Sequence, residues 1–172
     1  MREERSTNER RDYFMTVKVE KLKINYKTLE EFQKFSEYGL PELSMLEELE
    51  NNMVENRIDS PFYGIYQDGN LVARISLYRI DAKHDQYFDP PQDYYEVFKL
   101  EVLPHYRNQG LGTALIEHAK SLGLPIKTNA RRRSDQFWIK MGFQPVQYNP
   151  IRDRGESPYV WLPEGTRLRD YN

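Results

Sequence analysis

The chain has 172 residues, of which 38% are apolar and 30% charged, and its formal net charge is −2. That length is sufficient to bury a sizeable core, and the slight negative charge supplies no basic field for nucleic acid or anionic membranes. The absence of cysteine excludes disulfides, thiolate zinc sites and a cysteine nucleophile.

The amino-terminal segment carries little that could be buried. Residues 1–14 are mainly charged and polar, so we expect a disordered tail before a domain over 15–172, with Met15 as an alternative natural start. Neither this segment nor any other stretch has the apolar length of a secretory signal or a membrane span. We therefore expect a cytoplasmic protein.

The first half of the chain predicts a strand, two helices and a hairpin. "TVKVEKLKI" alternates apolar and polar residues as a strand does, and "TLEE" is typical of a capping box in which Thr28 caps a helix and Glu31 reaches back. That helix is expected to end near Gly39 and Pro41 and to be followed by a second one. The apolar positions of the two helices are Leu29, Phe32 and Phe35, then Leu43, Leu46, Leu49 and Met53. "PFYGIYQDGNLVARISLYRI" predicts a hairpin that turns at Asp68-Gly69.

The second half alternates strands and helices. A loop with Pro90-Pro91 precedes the strand "YEVFKLEVL", in which Phe98, Leu100 and Val102 share one face and Lys99 and Glu101 the other. A helix over 111–122 is expected to end at Gly123, and a helix in "SDQFWIKM" to begin at Ser134 and end at Gly142. The remaining predicted strands are "LPIKTNA", "FQPVQY" and "PYVWL".

Two glycines, Gly110 and Gly112, lie at the start of the helix over 111–122, after the turn that follows a predicted strand. A turn of this kind is either a tight connection only or a phosphate site, because free N–H groups and the helix dipole at a helix start favour an anion. The Rossmann fingerprint would need a third glycine where Leu115 stands, and a P-loop would need Gly-Lys-Ser/Thr.

The sequence "RNQGLG", between "LEVLPHY" and "TAL", fits Arg/Gln-x-x-Gly-x-Gly/Ala and resembles motif A of the GNAT superfamily of N-acetyltransferases. "FWIKMGFQPV" resembles the second motif of that superfamily, and the similarity covers residues 17–162, most like the YlbP-type bacterial N-acetyltransferases. The resemblance implies a single α/β domain with a mostly antiparallel, splayed sheet of about six to seven strands and about four helices. It also implies acetyl-CoA as cosubstrate. We expect no metal, because the sequence has no motif with metal-ligand spacing.

The resemblance implies roles for residues in both motifs. Residues expected beside the pantetheine arm are Leu100, Val102 and Leu103, and those expected to wrap the pyrophosphate are Arg107, Gln109, Gly110, Leu111, Gly112 and Thr113. Arg107 either contacts phosphate or caps the turn. Trp138 and Lys140 of the second motif are expected to line the cofactor site.

The family's chemistry requires a base for the amine and allows a proton donor for the CoA thiolate. Glu96 is the candidate base by its position in the family's strand and Glu101 is the second candidate, although either is also compatible with a solvated strand glutamate. Trp138 stands where the family often has a tyrosine, and indole has no acidic proton to give. Tyr148, Tyr159 or solvent would then protonate the thiolate.

Other charged groups give weaker signals. The arginine run 131–133 lies either near CoA phosphates or, as we favour, in a solvated loop, and His84, His105 and His118 have no metal-ligand spacing. Asp85, Asp89 and Asp93, in the loop with Pro90-Pro91, would provide negative charge facing a cationic amine substrate.

We predict an acetyl-CoA-dependent N-acetyltransferase that transfers acetyl directly to a primary amine of a small molecule or protein. The alternative is a catalytically degenerate acyl-CoA-binding or interaction module of the same fold. We expect no nucleic-acid or membrane partner, and a homodimer is compatible with the tyrosine-rich terminal strands. Acceptor specificity is expected to lie in the loops 36–60 and 81–95.

Overall fold

The computed structural model describes residues 17–35, 44–55, 59–131 and 133–170. The expected tail over 1–14, and Gly39, Pro41 and Leu43 of the helical region, lie outside the described residues. The helices are α1 Tyr26–Phe32, α2 Met45–Val54, α3 Leu111–Ser121, α4 Asp135–Lys140 and α5 Pro150–Asp153. The strands are β1 Glu20–Lys21, β2 Phe62–Gln67, β3 Asn70–Ile80, β4 Phe88–Asp89, β5 Tyr94–Val102, β6 Ile126–Asn129, β7 Gln144–Pro145, β8 Pro158–Trp161 and β9 Arg167–Leu168.

Within the described residues, seven strands form one sheet in the order β1-β2-β3-β5-β6-β8-β7, and β4 pairs with β9 separately. β5 and β6 run parallel, whereas the pairs β1–β2, β2–β3, β6–β8 and β7–β8 are antiparallel. A mixed α/β fold with a mostly antiparallel sheet was predicted and is confirmed. The described helices number five, one more than expected, because α5 begins at Pro150 behind an Asn149 cap.

The chain forms two compact units. The first contains the residues up to Ser76 together with Lys99–Leu115, and the second contains Leu77–Phe98 and the residues from Ile116 onward. In the first unit α1 and α2 cover a core of Leu22, Phe32, Phe35, Met45, Leu49, Phe62 and Leu71, against which Leu103 packs. A core of the second unit contains Tyr87, Phe88, Tyr94 and Val160.

The predicted capping box at Thr28 is wrong. α1 begins one turn earlier, where the Asn25 side chain accepts a hydrogen bond from the Thr28 N–H at 3.0 Å. Glu31 does not reach back, because its Oε2 accepts the N–H of Leu71 at 3.0 Å, beside the irregularity in the β2–β3 register. A buried strand donor therefore takes the carboxylate that the local pattern had assigned to the helix start.

The segment over 81–94 is more ordered than the predicted loop. It contains a 3-10 turn at Ala82–His84 and the strand β4, whose Phe88 is opposite Leu168. The carboxylate of Asp85 organises this segment by accepting the N–H groups of Tyr87 and Gln92 at 2.7 and 3.0 Å, with Phe88 N–H at 3.2 Å. Pro90-Pro91 therefore follows directly after a short strand and does not keep the segment free of regular structure.

The predicted hairpin at Asp68-Gly69 is confirmed, with both residues in the left-handed region at φ 50° and 79°. α3 and the stop at Gly123 are confirmed as well, since Gly123 has φ 86°. Ser134 occupies the position before α4, but its hydroxyl bonds the backbone of Arg131 and makes no cap bond to the helix.

Candidate active site

β5 keeps the expected alternation of its faces, and the face that carries Lys99 is the more buried one. Val97 and Lys99 are buried, whereas Phe98 is 45% exposed and its ring lies 4.6 Å from that of Tyr78. The Lys99 N–H donates to the Ser76 hydroxyl at 3.2 Å, in place of a backbone carbonyl. Leu100 and Val102 are half-buried. This burial pattern agrees with the predicted faces, Phe98, Leu100 and Val102 on one and Lys99 and Glu101 on the other, and shows that the charged face is the more buried one.

The pairing of β5 with β6 covers only part of the strand. Its register runs from Tyr95 opposite Ile126 to Val97 opposite Thr128, while β5 itself continues to Val102. The end of β5 that carries Leu100 and Val102, together with the following Leu103, thus extends past this ladder. These are the residues expected beside the pantetheine arm.

The turn after β5 uses its two glycines differently. Gly110 has φ 80°, a left-handed conformation that glycine adopts without steric cost, and Asn108 adopts φ 62°. Gly112 has no positive φ and lies within the first turn of α3. Any residue could adopt this backbone conformation, so the conformation does not explain why residue 112 is a glycine.

The start of α3 presents backbone donors. The first intrahelical bond runs from the Ala114 N–H to the Gly110 carbonyl at 3.0 Å. The N–H groups of Leu111, Gly112 and Thr113 come before that bond and have no acceptor within the helix. These donors and the positive end of the helix dipole are suited to an anion.

Arg107 and Gln109 brace the same turn. The Arg107 Nε donates to the Val102 carbonyl at 3.2 Å, and the Gln109 amide donates to the His105 carbonyl at 3.5 Å. Arg107 thus joins the end of β5 to the turn, the second of the roles considered for it. A contact between Arg107 and phosphate stays a prediction.

Glu101, one of the two candidate bases, lies in a buried ionic group of the first unit. Its Oε1 is 3.5 Å from Arg74 Nη2 and 3.3 Å from Lys99 Nζ. The Arg74 side chain is fully buried, and its guanidinium lies 4.5 and 4.2 Å from the ring centroids of Phe32 and Phe35. Sequence reasoning missed Arg74, although an arginine within the apolar run "LVARISL" was a signal of a buried charge.

Glu96, the other candidate, lies in the second unit. Its Oε1 is 2.7 Å from Lys127 Nζ, and both side chains are largely buried. Lys127 also lies 5.0 Å from the ring centroid of Tyr87. A lysine on β6 therefore holds the Glu96 carboxylate in one place, a contact that the sequence did not indicate.

The Tyr87 ring connects this pair to a second buried ionic group. Its hydroxyl donates to Asp153 at 3.0 Å, and Arg152 lies 4.5 Å from the ring centroid and 2.7 Å from the same carboxylate. Burial and the bond to Asp153 raise the pKa of Tyr87. Burial would raise the pKa of Asp153, but hydrogen bonds from Arg152, the Asn149 N–H and Tyr87 outweigh it and lower that pKa to about 2.

Because the pKa of Asp153 is lowered in the folded protein, the free energy of unfolding depends on pH in the acid range. The unfolded chain takes up a proton near the ordinary aspartate pKa, whereas folded Asp153 resists protonation down to about 2. We expect the free energy of unfolding to lose about 2 kcal/mol from this group as the pH falls from about 4 to about 2. Urea unfolding across that range measures the loss. The Asp153→Asn variant should lack this component, and an unchanged slope in that variant would contradict the assignment.

The second motif forms a small aromatic group in the second unit. Trp138 is buried, with its ring 5.2 Å from Phe137 and 5.0 Å from Phe143, and Lys140 is exposed at the end of α4. The placement of Trp138 supports packing in place of proton donation. Of the alternative donors, Tyr148 accepts the Gly155 N–H at 2.9 Å through its hydroxyl, and Tyr159 is half-buried on β8.

The acidic candidates Asp85, Asp89 and Asp93 have partners within the chain. Asp93 accepts two bonds from Arg79, and Asp89 lies 3.4 Å from Arg167. The described residues contain no group of three or more histidine, aspartate or glutamate side chains arranged to hold a metal ion. None of the described helices is long and apolar enough to cross a membrane.

Comparison with known proteins finds relatives over most of the chain, including both motifs described above. The model of the Acetyltransferase (GNAT) family matches residues 25–143. The chain is 68% identical over 152 residues to an uncharacterised N-acetyltransferase of Brevibacillus brevis, covering 88% of this chain and 98% of that protein. It is 59% identical over 150 residues to the N-acetyltransferase YlbP of Bacillus subtilis, covering 87% and 94%. The crystal structure of B. subtilis YlbP in complex with coenzyme A superposes with a TM-score of 0.73 at 58% identity, covering 87% of this chain and 98% of that one.

Proposed function

The chain belongs to the acetyltransferase (GNAT) family, and from that premise we propose that it transfers the acetyl group of acetyl-CoA directly to a primary amine while both substrates are bound. The amine nitrogen forms the new C–N bond, the thioester C–S bond breaks, and CoA leaves as the thiolate. The amine must lose a proton in the process, and the thiolate must gain one.

The observation that carries this proposal is the turn between β5 and α3. Gly110 and Gly112 leave the backbone uncovered where the N–H groups of Leu111, Gly112 and Thr113 lack helical acceptors. A pyrophosphate would satisfy these donors, and side chains at the glycines would obstruct its approach. The complex of B. subtilis YlbP with coenzyme A supports acetyl-CoA as the ligand for this chain too.

The composition is compatible with direct transfer. A covalent acyl-enzyme in acyl transfer commonly uses a cysteine or serine nucleophile, and the lack of cysteine excludes the first of these and leaves the second open. We accordingly place catalysis in the positioning of the two substrates and in removal of the amine proton.

The reaction itself tests the proposal. Incubation with acetyl-CoA and a panel of amines should release free CoA thiol only when a suitable amine is present. A thiol reagent reports this release without background from the protein, because the chain contains no cysteine. Binding of acetyl-CoA without release in the presence of any amine would favour the alternative, a degenerate acyl-CoA-binding module.

We assign the general base to Glu96. It lies on β5 with its carboxylate oriented by Lys127, whereas the Glu101 oxygen faces both Arg74 and Lys99. A carboxylate already matched by two cations is better suited to hold them in place than to accept a proton.

Glu96→Gln is expected to lower kcat by about 10²- to 10⁴-fold, the range typical for loss of a general base. Steady-state kinetics and calorimetric titration with acetyl-CoA measure this, and the binding affinity should stay within a few-fold of that of the native protein. Glu101→Gln is the matched comparison, and its main effect should be lower stability, because Arg74 and Lys99 lose their carboxylate. If Glu101→Gln loses turnover at unchanged stability while Glu96→Gln retains it, the two roles are reversed.

A further inference from the structure

One face of β5 becomes more exposed along its length. Tyr94, Glu96 and Phe98 share this face, because alternate residues of a strand point to the same side of the sheet. Tyr94 is buried in the core of the second unit, the Glu96 side chain is 16% exposed, and Phe98 is 45% exposed. The proposed general base therefore lies at the border between the covered and the open part of this face.

Phe98 has an unusual position for an exposed apolar side chain. The large apolar residues that are exposed in the described part of the chain are Tyr26, Val54, Phe98, Ile139, Tyr148 and Ile151. Among these, Phe98 alone lies on a strand, and that strand has β3 and β6 as neighbours in the sheet. Its ring is accessible to a ligand without any rearrangement of the chain.

Tyr78 enlarges this aromatic surface. It lies on β3, and its ring is 4.6 Å from that of Phe98, with 32° between the ring planes. We call Phe98 and Tyr78 the aromatic pair. Both residues belong to the same compact unit as Glu96. Ring surface of this kind favours contact with a further ring, stacked with an offset or edge-on, or with another apolar group.

The aromatic pair lies a short distance from the proposed base. Residues two apart on a strand are separated by about 7 Å, so Phe98 follows Glu96 at that spacing on the same face. Lys127 already matches the charge of the Glu96 carboxylate at 2.7 Å, and the two rings add no charge. An amine whose nitrogen lies at Glu96 can therefore place an apolar group, joined to it by a short chain, on Phe98.

We propose that the aromatic pair binds the apolar part of the acceptor, so that the acceptor is a primary amine joined by a short chain to an aromatic or similarly apolar group. This inference rests on the proposed acetyl transfer and specifies its substrate class. The reaction is unchanged, because the nitrogen still gives its proton to Glu96 and forms the C–N bond as the C–S bond breaks. Small arylalkylamines and peptides with an apolar first residue both carry this chemistry.

The experiment compares matched acceptors in the thiol-release assay, with kcat/KM referred to the unprotonated amine. Phenethylamine is compared with ethylamine, and a tripeptide that begins with phenylalanine with one that begins with alanine. The aromatic member of at least one pair should react with a kcat/KM at least about 10-fold higher, because its ring gains apolar contact with Phe98. The pair that shows the preference identifies the source of the acceptor, a small amine or a peptide.

Phe98→Ala should remove this preference through a higher KM for the aromatic acceptor, and Phe98→Tyr, which keeps the ring, should retain it. Ile151→Ala is the control and should also retain it, because Ile151 is an exposed apolar residue on α5 of the same unit. No preference for the aromatic member of either pair, or an unchanged preference in Phe98→Ala, would overturn the inference while leaving acetyl transfer intact.

The affinity for acetyl-CoA separates acceptor recognition from cofactor binding. Calorimetric titration should give Phe98→Ala and the native protein the same affinity within a few-fold. The unfolding midpoint should also change little, because substitutions of exposed side chains have small effects on stability. A loss of acetyl-CoA affinity in Phe98→Ala equal to the loss of turnover would mean that the ring contacts the cofactor, and it would overturn the inference.

A binding measurement keeps the inference testable without turnover. The aromatic acceptor should raise the melting temperature of the CoA-bound native protein more than its matched partner does, and CoA-bound Phe98→Ala should lose this difference. If no amine is acetylated, the proposed function fails, and this measurement still decides whether the aromatic pair binds an apolar amine. The absence of a difference in the native protein, or the same difference in Phe98→Ala, would overturn the inference.

Discussion

Gly112→Leu is expected to remove acetyl-CoA binding while leaving the unliganded protein as stable as before. Gly112 lies in the first turn of α3 without a positive φ, so leucine fits its backbone conformation, and glycine there costs about 1 kcal/mol relative to good helix formers. The leucine side chain would cover the N–H groups to which pyrophosphate is proposed to bind. We expect affinity to fall at least 100-fold. The native protein should gain about 2.7 kcal/mol at 100 times its dissociation constant, and the variant should gain almost nothing.

Calorimetric titration and thermal unfolding with and without acetyl-CoA measure both quantities. Gly123→Leu is the matched control at the other end of α3, where φ is 86° and no atom lies within 4 Å of an added Cβ. Strain at that residue should lower stability by about 1–3 kcal/mol and leave binding unchanged. Native affinity in Gly112→Leu would mean that the two glycines form only a turn.

Asp153→Ala is expected to cost about 3–5 kcal/mol of unfolding free energy, because one partner of a buried ion pair is lost. The Asp153 carboxylate is fully buried and accepts Arg152 Nε, the Tyr87 hydroxyl and the Asn149 N–H at 2.7, 3.0 and 2.8 Å. Its removal leaves the largely buried Arg152 without its carboxylate. Equilibrium urea unfolding at neutral pH measures the difference.

Glu117→Ala is the comparison within the same unit. Glu117 is exposed and lies 3.5 Å from Lys120 in an i, i+3 pair, and such surface pairs contribute about 0–1 kcal/mol. A loss below about 1 kcal/mol in Asp153→Ala would show that the buried network around Tyr87 relaxes after losing its carboxylate.

Several features of the fold could be predicted from the sequence because local rules set them. Gly69 and Gly123 adopt the left-handed conformations expected of turn and helix-end glycines, at φ 79° and 86°. The apolar spacing of Leu111, Leu115 and Ala119 marked the buried face of α3. Each signal depends on a few neighbouring residues, and so it is present in the sequence itself.

Predictions that depended on competition between distant groups were wrong or incomplete. Glu31 was predicted to bond the start of its own helix. Its carboxylate instead accepts a hydrogen bond from the N–H of Leu71, forty residues further along the chain. The alternation in β5 also did not show which face is buried: Lys99 lies buried beside Glu101, whereas Phe98 is 45% exposed beside Tyr78. Local periodicity contains no information about such partners.

The same division applies to the candidate active site. The sequence alone determined the family, the turn that is proposed to hold pyrophosphate and the lack of a cysteine nucleophile, because each is a property of contiguous residues or of composition. Only the tertiary structure decided that Lys127 faces Glu96 and that Arg74 and Lys99 share Glu101. These contacts join residues far apart in the chain, and the energy of a buried charge depends on which opposite charge the fold places beside it.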